Sequence, residues 1–275
     1  MKINFLKMHG LGNDFIMLDG VSQQLTISSE DVVRLSDRHL GIGCDQLLIV
    51  EPTLIEGVDF KYRIFNHDGS EVEQCGNGAR CFAQFVRRQG LIDKDDIKVE
   101  TLAGIFQLQI LDDSLVKVEM GMPIFDYKEI PFVAPKKDLH EAVVNDHKVE
   151  FYVVSMGNPH AVIFVDDIDG VAVREIGRHL EQDVRFPNRA NVQFVQVVNN
   201  NTIIQRIFER GAGETLASGS GACAAVAVGQ KYKGLDAAVD VNMQGGKLNI
   251  YRDSKSKRLF MTGPTQISFE GSVEI

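Results

Sequence analysis

Two positions in the chain place a small polar side chain directly before a glycine-rich turn, and both could do acid–base chemistry. Cys75 begins the segment CGNGA, and Ser218 begins the segment SGSGA. If each turn opens a helix, the N–H groups of its first turn and the helix dipole favour negative charge on the preceding side chain. A thiol placed there has its pKa lowered from about 8.5, so Cys75 could act as a thiolate near neutral pH.

The two segments belong to a longer internal repeat. Residues 63–79 read RIFNHDGSEVEQCGNGA, and residues 206–222 read RIFERGAGETLASGSGA, at an offset of 143 residues and without a gap. Shorter matches occur in the same order in the two halves. Gly12-Asn13 corresponds to Gly157-Asn158. Residues 99–104 likewise correspond to 241–246. The repeat predicts two similar halves.

Hydrophobic periodicity predicts the elements that position these turns. Helices are expected at 29–39, entered through Ser28 and Ser29 and stopped near Gly41, and at 77–89 and 220–233. Gly90 and Gly234 are placed to cap the last two. Strands are expected at 2–8, 14–18, 46–51, 59–66, 96–101, 149–155, 161–165, 192–198, 202–209 and 237–242.

The two repeat-equivalent helices are markedly apolar, as FAQFV and CAAVAV show. Helices of that composition are usually buried. We therefore expect an α/β (α+β) fold of two pseudo-symmetric domains, each a mixed β-sheet or barrel wrapped around a central helix. The boundary should lie near Met120 to Pro123, and the polar stretch PKKDLHEAVVNDHK should form an excursion within the second half.

Composition excludes several classes of function. The length of 275 residues suits two medium domains, and the net charge of −9 argues against a general nucleic-acid binder. No apolar run reaches the roughly 20 residues that cross a bilayer, and His9 and Gly10 interrupt the start before a signal peptide could form. The four cysteines form no CxxC pair, which favours neither zinc nor disulfides, so we expect a cytoplasmic protein.

Two acid–base groups in similar halves suit inversion of a carbon centre, because one removes a proton from one face while the other delivers a proton to the opposite face. The amides of two helix N-termini could stabilise the charge that develops on a substrate carboxylate. The alternative for a cysteine is a small buried apolar side chain, which we expect for Cys44, Cys81 and Cys223. Neither repeated loop holds a lysine for a pyridoxal cofactor.

Five segments together resemble the diaminopimelate epimerase family over essentially the whole chain: KMHGLGNDFI, RIFNHDGSEVEQCGNGARC, MGNPHAV, RANVQFV and ERGAGETLASGSGACAA. The resemblance implies an isomerase that interconverts LL- and meso-diaminopimelate in bacterial lysine and peptidoglycan precursor biosynthesis. It implies no pyridoxal phosphate, metal or other cofactor, and a homodimer. Phe269 stands where the family has a tyrosine at the dimer interface.

The resemblance also implies two lobes and a set of site residues. The N-terminal lobe would comprise 1–119 plus the last strand, 265–275, and carry Cys75; the C-terminal lobe, 120–264, would carry Ser218. Two cysteine thiols serve the family as base and acid, and Ser218 falls where the family has the second. His160 and Glu209 match positions that adjust the protonation of this pair. Substrate-contacting positions fall on Asn13, Gln46, Asn66, Gly76, Asn77, Asn158, Asn191, Glu209, Arg210, Gly219 and Ser220.

The residue types agree with such a substrate. An amide both donates and accepts, Arg210 suits a carboxylate and Glu209 suits an ammonium group. Each asparagine taken alone could equally serve a turn or a cap.

Ser218 leaves the chain with one thiol at the proposed site. An alcohol is a far poorer acid than a thiol, so the sequence predicts diaminopimelate binding with strongly reduced epimerisation. A deliberate substitution or a natural variant would each account for the serine. Two alternatives are a proline or hydroxyproline racemase-type enzyme and a non-catalytic, ligand-binding descendant.

Overall fold

A computed structural model describes residues 2–72 and 76–275, so Cys75 lies outside the described residues. The chain divides into two compact units. Unit 1 comprises Met1–Glu119 and Thr262–Ile275, and unit 2 comprises Met120–Met261.

Unit 1 is built from a mixed set of strands and two helices. The helices are α1 (Ser29–Ser36) and α2 (Gly76–Arg88). The strands are β1 (Lys2–Gly10), β2 (Asn13–Asp19), β3 (Gln46–Glu51), β4 (Phe60–Asn66), β5 (Glu71–Val72), β6 (Asp96–Thr101), β7 (Gly104–Ile110), β8 (Leu115–Gly121, which contains the first boundary) and β18 (Gln266–Glu274). β17 (Leu259–Pro264) contains the second boundary.

Unit 2 contains the remaining elements. Its helices are α3 (Val173–Glu181) and α4 (Gly219–Tyr232). Its strands are β9 (His140–Val144), β10 (His147–Ser155), β11 (Pro159–Phe164), β12 (Asn191–Asn199), β13 (Thr202–Glu209), β14 (Gly213–Thr215), β15 (Ala238–Met243) and β16 (Gly246–Arg252).

The same order of strand pairing occurs in both units. In unit 1, β1–β2 is antiparallel, β2–β3 parallel, β3–β4 and β4–β5 antiparallel, β4–β6 parallel and β6–β7 antiparallel. In unit 2, β10–β11 is antiparallel, β11–β12 parallel, β12–β13 and β13–β14 antiparallel, β13–β15 parallel and β15–β16 antiparallel. The internal repeat of the sequence is therefore a repeat of topology. The expected mixed α+β fold is confirmed.

One helix lies at the centre of each set of strands. α2 contacts β1, β2, β3 and β7, and its residues from Asn77 to Val86 are buried. α4 contacts β10, β11, β12 and β16, and its residues from Gly221 to Gly229 are buried. α4 is apolar on nearly every side, whereas α2 buries Arg80 and Gln84 among its apolar residues. A surrounding sheet is the arrangement that removes most of the apolar surface of both helices from water.

The predicted boundaries differ from the structure in informative ways. The predicted strands agree to within two residues at each end, and α2 and α4 begin one residue earlier than expected. α1 starts after Ser28, which forms a capping box with Asp31, but it ends at Ser36 rather than 39. Asp37 causes the early end, because its side chain accepts the N–H groups of His39 and Leu40 and holds them in a turn.

The polar excursion of unit 2 contains a hairpin that the sequence analysis did not predict. β9 and β10 pair antiparallel across Asn145 and Asp146, whose φ values of 46° and 64° are those of a type I′ turn. Helix α3 was also missed. Gly177 lies in its middle because an added Cβ would stand 2.5 Å from the Phe208 side chain, so close packing has selected a poor helix former there.

Candidate functional site

Four of the expected substrate-contacting residues of unit 1 are joined by hydrogen bonds. Gln46 begins β3 and pairs across the sheet with Asn66, which ends β4. The Gln46 Nε2 atom donates to Asn66 Oδ1 at 3.0 Å. Asn77, in the first turn of α2, donates from Nδ2 to Asn13 Oδ1 at 3.3 Å. Gly76 is half-buried beside Asn77, so unit 1 brings Asn13, Gly76 and Asn77 together at the N-terminal end of α2, and Gln46 and Asn66 form a second pair.

A charged network fixes the orientation of Asn13. Asp45 accepts the Asn13 Nδ2 atom at 2.9 Å, and Arg38 bridges Asp45 and Asp14 at 2.8 and 2.7 Å. Asp14 also pairs with the buried Lys7 at 2.6 Å. Burial raises the pKa of Asp14, but hydrogen bonds from Arg38 and Lys7 outweigh it and hold that pKa well below its usual range. Asp14 is therefore ionised at neutral pH, and the network presents Asp45 to Asn13.

In unit 2, Ser218 is the N-cap of α4. Its backbone is extended, with φ −141° and ψ 123°, and its Oγ atom accepts the backbone N–H of Gly221 at 3.3 Å. Ser218 and Gly219 are buried, and Ser220 is half-buried. Gly221 has no room for a side chain, because an added Cβ would lie 2.5 Å from Ile207 Cδ1. This close approach seats the first turn of α4 on β13, so residue 218 receives the amide and dipole of a helix N-terminus.

His160 lies in β11 and is completely buried between two amides. Its Nε2 atom donates to Asn158 Oδ1 at 2.9 Å, and its Nδ1 atom accepts the Gln193 Nε2 amide at 2.9 Å. Burial lowers the pKa of His160 to about 3, and the positive charge of Arg210 acts in the same direction. The ring is therefore neutral at physiological pH. Any influence of His160 on the proposed acid–base pair must act through hydrogen bonds rather than through charge.

Asn191, Glu209 and Arg210 lie at neighbouring strand ends. The Oδ1 atom of Asn191, at the start of β12, accepts the backbone N–H of Arg210 at 3.0 Å. The exposed Arg210 guanidinium donates to the Asn188 carbonyl at 3.0 Å. Glu209, the last residue of β13, accepts the Thr215 hydroxyl at 2.6 Å. A carboxylate side chain and a guanidinium side chain are thus consecutive at this strand end.

The amides of unit 2 are oriented as donors. Since the oxygen of Asn158 is held by His160 and that of Asn191 by Arg210, their NH₂ groups are the polar atoms left to a ligand. Two NH₂ groups and a guanidinium suit a carboxylate, whereas Glu209 suits an ammonium group.

Three residues that organise the site were not predicted. Asp45 orients Asn13, Thr215 donates a hydrogen bond to Glu209, and Gln193 donates one to His160. The segment RANVQFV carried a signal for Gln193, because a polar side chain between Val192 and Phe194 in a buried strand needs a hydrogen-bond partner.

The other three cysteines are buried, as the sequence predicts. Cys81 and Cys223 are fully buried within α2 and α4, and Cys44 is 3% exposed, so all three are confirmed as core residues. Burial raises the pKa of the Cys44 thiol. Across residues 2–72 and 76–275, no three His, Cys, Asp or Glu side chains cluster as candidate metal ligands. Over the same ranges, no helix is both long and apolar enough to cross a membrane.

This architecture is shared with solved structures of low sequence identity. A phenazine biosynthesis protein of the PhzF family from Bacillus anthracis matches with a TM-score of 0.72 at 18% identity, covering 100% of both chains. A hydroxyproline epimerase from Agrobacterium vitis matches with a TM-score of 0.71 at 13% identity, covering 99% of this chain and 92% of that one. The chain therefore has the mixed α+β fold of the PhzF and proline racemase-like proteins.

Sequence comparison is more specific. The diaminopimelate epimerase profile matches residues 5–125 and 152–268. The diaminopimelate epimerases of Teredinibacter turnerae and Chromobacterium violaceum are 48% and 49% identical over 276 residues, covering 100% of both chains in each case. This chain belongs to the diaminopimelate epimerase family, and so to the epimerase class of isomerases.

Proposed function

We propose that this chain binds diaminopimelate and that the reaction of its site is the interconversion of the LL and meso forms. The observation that carries the proposal is the position of Ser218, which caps α4 at the point where the repeat places Cys75 before α2. The full-length similarity to diaminopimelate epimerases supports the choice of substrate.

The proposed chemistry uses one acid–base group from each repeat. Cys75 and residue 218 act at opposite faces of the α-carbon, so that one accepts its proton while the other delivers a proton. The carbon–hydrogen bond electrons pass to the α-carbon and its carboxylate, whose charge is stabilised by N–H groups at helix N-termini. Gly76, Asn77, Gly219 and Ser220 belong to those first turns. No oxidant or cofactor is needed to balance this exchange.

The polar side chains would bind the rest of the substrate. We assign a carboxylate to Asn158, Asn191 and Arg210, because the two amides present NH₂ groups beside a cation. Glu209 would pair with an ammonium group. The amides of Asn13, Gln46 and Asn66 in unit 1 complete the binding set. A cyclic substrate with one carboxylate, such as proline, would leave much of this donor set unused.

The hydroxyl of Ser218 limits the reaction in this chain. In the proposal, Ser218 retains substrate binding but delivers or removes the second proton very poorly, so the chain has strongly reduced activity. In the proposal His160 and Glu209 adjust the protonation of the pair, and the neutral His160 ring acts through its hydrogen-bonded partner Asn158.

We also propose a cytoplasmic homodimer that works without a cofactor in lysine and peptidoglycan precursor biosynthesis. The dimer is supported by β18, where Ile267 and Phe269 are 40% and 49% exposed. Phe269 packs edge-on against Phe5 at 5.9 Å but stays half exposed, so apolar surface on this strand remains uncovered within this chain.

The test compares the chain with its Ser218→Cys variant. Each is incubated with LL-diaminopimelate in deuterated water, and chiral chromatography with mass spectrometry follows meso product and deuterium at the α-position. The variant should form the meso isomer at least 100-fold faster, because positioned acid–base groups contribute about 10²- to 10⁴-fold. Proline and hydroxyproline serve as comparison substrates. A folded variant that epimerises neither form of diaminopimelate, or that prefers proline, contradicts the proposal.

A further inference from the structure

Three buried or half-buried side chains of unit 2 form a continuous chain of hydrogen bonds. Gln193 and His160 lie on neighbouring parallel strands, β12 and β11, and both are 0% exposed. Gln193 Nε2 contacts His160 Nδ1 at 2.9 Å, and His160 Nε2 contacts Asn158 Oδ1 at 2.9 Å. Asn158 is half-buried and is the outermost member, so the chain runs from the strand interior to the site.

The direction of these hydrogen bonds follows from the chemistry of the groups. A neutral imidazole carries one N–H and one bare nitrogen. In the observed orientation Gln193 presents its amide nitrogen, which only donates, to Nδ1, so Nδ1 is the bare nitrogen and the proton lies on Nε2. That proton is donated to the Asn158 oxygen. The Asn158 oxygen is thereby occupied, and its NH₂ group is turned outward.

We propose that Gln193 is a positioning residue, which fixes the Nε2–H tautomer of His160 and so makes Asn158 present a hydrogen-bond donor to the substrate carboxylate. The inference rests on the proposed function for the identity of the ligand. It goes beyond that function by naming the residue that decides whether Asn158 donates or accepts.

If the two hydrogen bonds ran in the opposite direction, Asn158 would present the wrong group to the substrate carboxylate. If Nδ1 carried the proton, Nε2 would accept from the Asn158 NH₂ group, and the asparagine oxygen would face the ligand. An oxygen opposite a carboxylate loses a hydrogen bond and adds repulsion. With the Arg210 guanidinium nearby, the donor orientation of Asn158 completes a set that binds an anion, whereas the acceptor orientation opposes it.

The chain supplies a matched control in Gln205. Gln205 lies on β13, antiparallel to β12, and is 1% exposed. The Nε2 atoms of Gln193 and Gln205 both lie 3.2 Å from the Cβ position of Gly221, so the two glutamines pack on the same turn of α4. Within the described part of the chain, the Gln205 amide has no hydrogen-bond partner. Replacing either glutamine by methionine keeps its length, and only one of the two contacts His160.

Kinetics with the two variants test the inference. Gln193→Met and Gln205→Met are each made in the Ser218→Cys protein. Gln193→Met should raise the KM for diaminopimelate about tenfold, the effect of one lost charge-assisted hydrogen bond, and change kcat by less than about threefold. Gln205→Met should leave both constants within about twofold of the parent. Equal effects of the two substitutions, or a loss confined to kcat, overturn the inference. A Ser218→Cys parent that fails to bind diaminopimelate contradicts the proposed function instead.

A spectroscopic measurement tests the tautomer without any substrate. The chain has seven histidines, and ¹⁵N NMR of histidine-labelled protein gives distinct signals for protonated and bare ring nitrogens. The His160 signals are assigned by their loss in His160→Asn. We expect an Nε2–H ring in the parent and an Nε2–H fraction of about one tenth in Gln193→Met, which is the fraction that a tenfold rise in KM requires. An Nδ1–H ring or an imidazolium in the parent at pH 7 overturns the inference even if the variants fold poorly.

Discussion

The replacement of Ser218 by cysteine isolates the physical effect on which the proposed chemistry depends. The serine Oγ atom accepts the Gly221 N–H at 3.3 Å and caps α4 with an extended backbone. A cysteine Sγ atom at this position would face the same amide and the same helix dipole. Both interactions favour an anion over a neutral group, whereas burial favours the neutral group.

The size of the expected shift follows from these contacts. The N-terminus of a helix stabilises a partly buried anion by up to about 2 kcal/mol, and about 1.4 kcal/mol corresponds to one pKa unit. We therefore expect the thiol of the Ser218→Cys variant to titrate about one unit below its usual value of about 8.5, which makes roughly a quarter of it thiolate at pH 7. The same stabilisation leaves the far less acidic serine hydroxyl protonated.

Cys44 provides an internal reference for the opposing effect of burial. Ser218 and Cys44 are both 3% exposed, but Cys44 Sγ lies beside the Ser36 hydroxyl rather than at a helix N-terminus. Burial accordingly raises the pKa of Cys44. At equal exposure, the difference between the two pKa values reports mainly the helix N-terminus at residue 218 against the charges of Lys7 and Asp14 near Cys44.

Carbon-13 NMR of protein labelled at the cysteine Cβ follows each thiol with pH and requires no reagent to enter the buried site. Subtracting the spectrum of the unaltered chain identifies the signal of the new cysteine, and Cys44→Ala identifies that of Cys44. We expect the new thiol to titrate below 8.5 and Cys44 above it. Titration of both thiols together above 8.5 would refute the reasoning, because burial would then outweigh the helix N-terminus and residue 218 could not supply a thiolate.

Three further substitutions test binding and stability. Arg210→Gln should weaken diaminopimelate binding about 10- to 100-fold in calorimetry without lowering Tm, because it removes an exposed cation; unchanged affinity would remove Arg210 from the proposed site. Asp14→Asn should lower the free energy of unfolding in urea by about 3 kcal/mol at pH 7, because Lys7, 7% exposed, loses its ion-pair partner. The pKa of Asp14 in the folded protein lies below its unfolded value of about 3.9, so the stabilisation is complete above about pH 3.9 and is lost as the pH falls through the folded pKa. A difference in unfolding free energy that persists undiminished in strong acid would contradict this assignment. Gly221→Ala should cost about 1–3 kcal/mol, since its Cβ would stand 2.5 Å from Ile207 Cδ1, and an unchanged Tm would show that this contact relaxes.

The elements of the fold could be predicted from the sequence where two independent signals, such as an apolar run and a glycine at the helix end, coincided. α2 and α4 were predicted to within one residue because an apolar run, a glycine-rich start and a terminal glycine all point to the same boundaries. Gly90 and Gly234 indeed have φ values of 67° and 71°. α3 carries no such agreement: Ala172 offers no side-chain cap, and Gly177 interrupts the helix for the sake of a contact with Phe208. That contact is a property of the folded unit and leaves no periodic pattern.

The residues that orient the side chains of the candidate site were harder to predict from the sequence, for a similar reason. Motifs indicated Asn13 and Asn158, but the residues that orient them lie elsewhere in the chain. Asp45, which orients Asn13, directly precedes β3, and Gln193, which acts on Asn158 through His160, lies on β12. Parallel pairing of β2 with β3 and of β11 with β12 brings each partner within reach. Hydrogen-bond direction then depends on protonation, which depends on burial. The amino-acid sequence contains these residues, but it does not show the strand pairing and burial that decide the protonation and the direction of each hydrogen bond.

The two repeat-equivalent asparagines show how burial selects the chemistry of support. Asn13 is held by Asp45, whose side chain is 44% exposed and ion-paired with Arg38, so a full charge is tolerated there. Asn158 is held by His160 in a fully buried position, where an unpaired imidazolium would cost several kcal/mol and the ring is therefore neutral. A neutral imidazole has two tautomers, so the hydrogen bond from His160 to Asn158 needs a further residue that selects one of them. An ionised carboxylate such as that of Asp45 can only accept. The buried glutamine of β12 is thus required by the same burial that removes the charge.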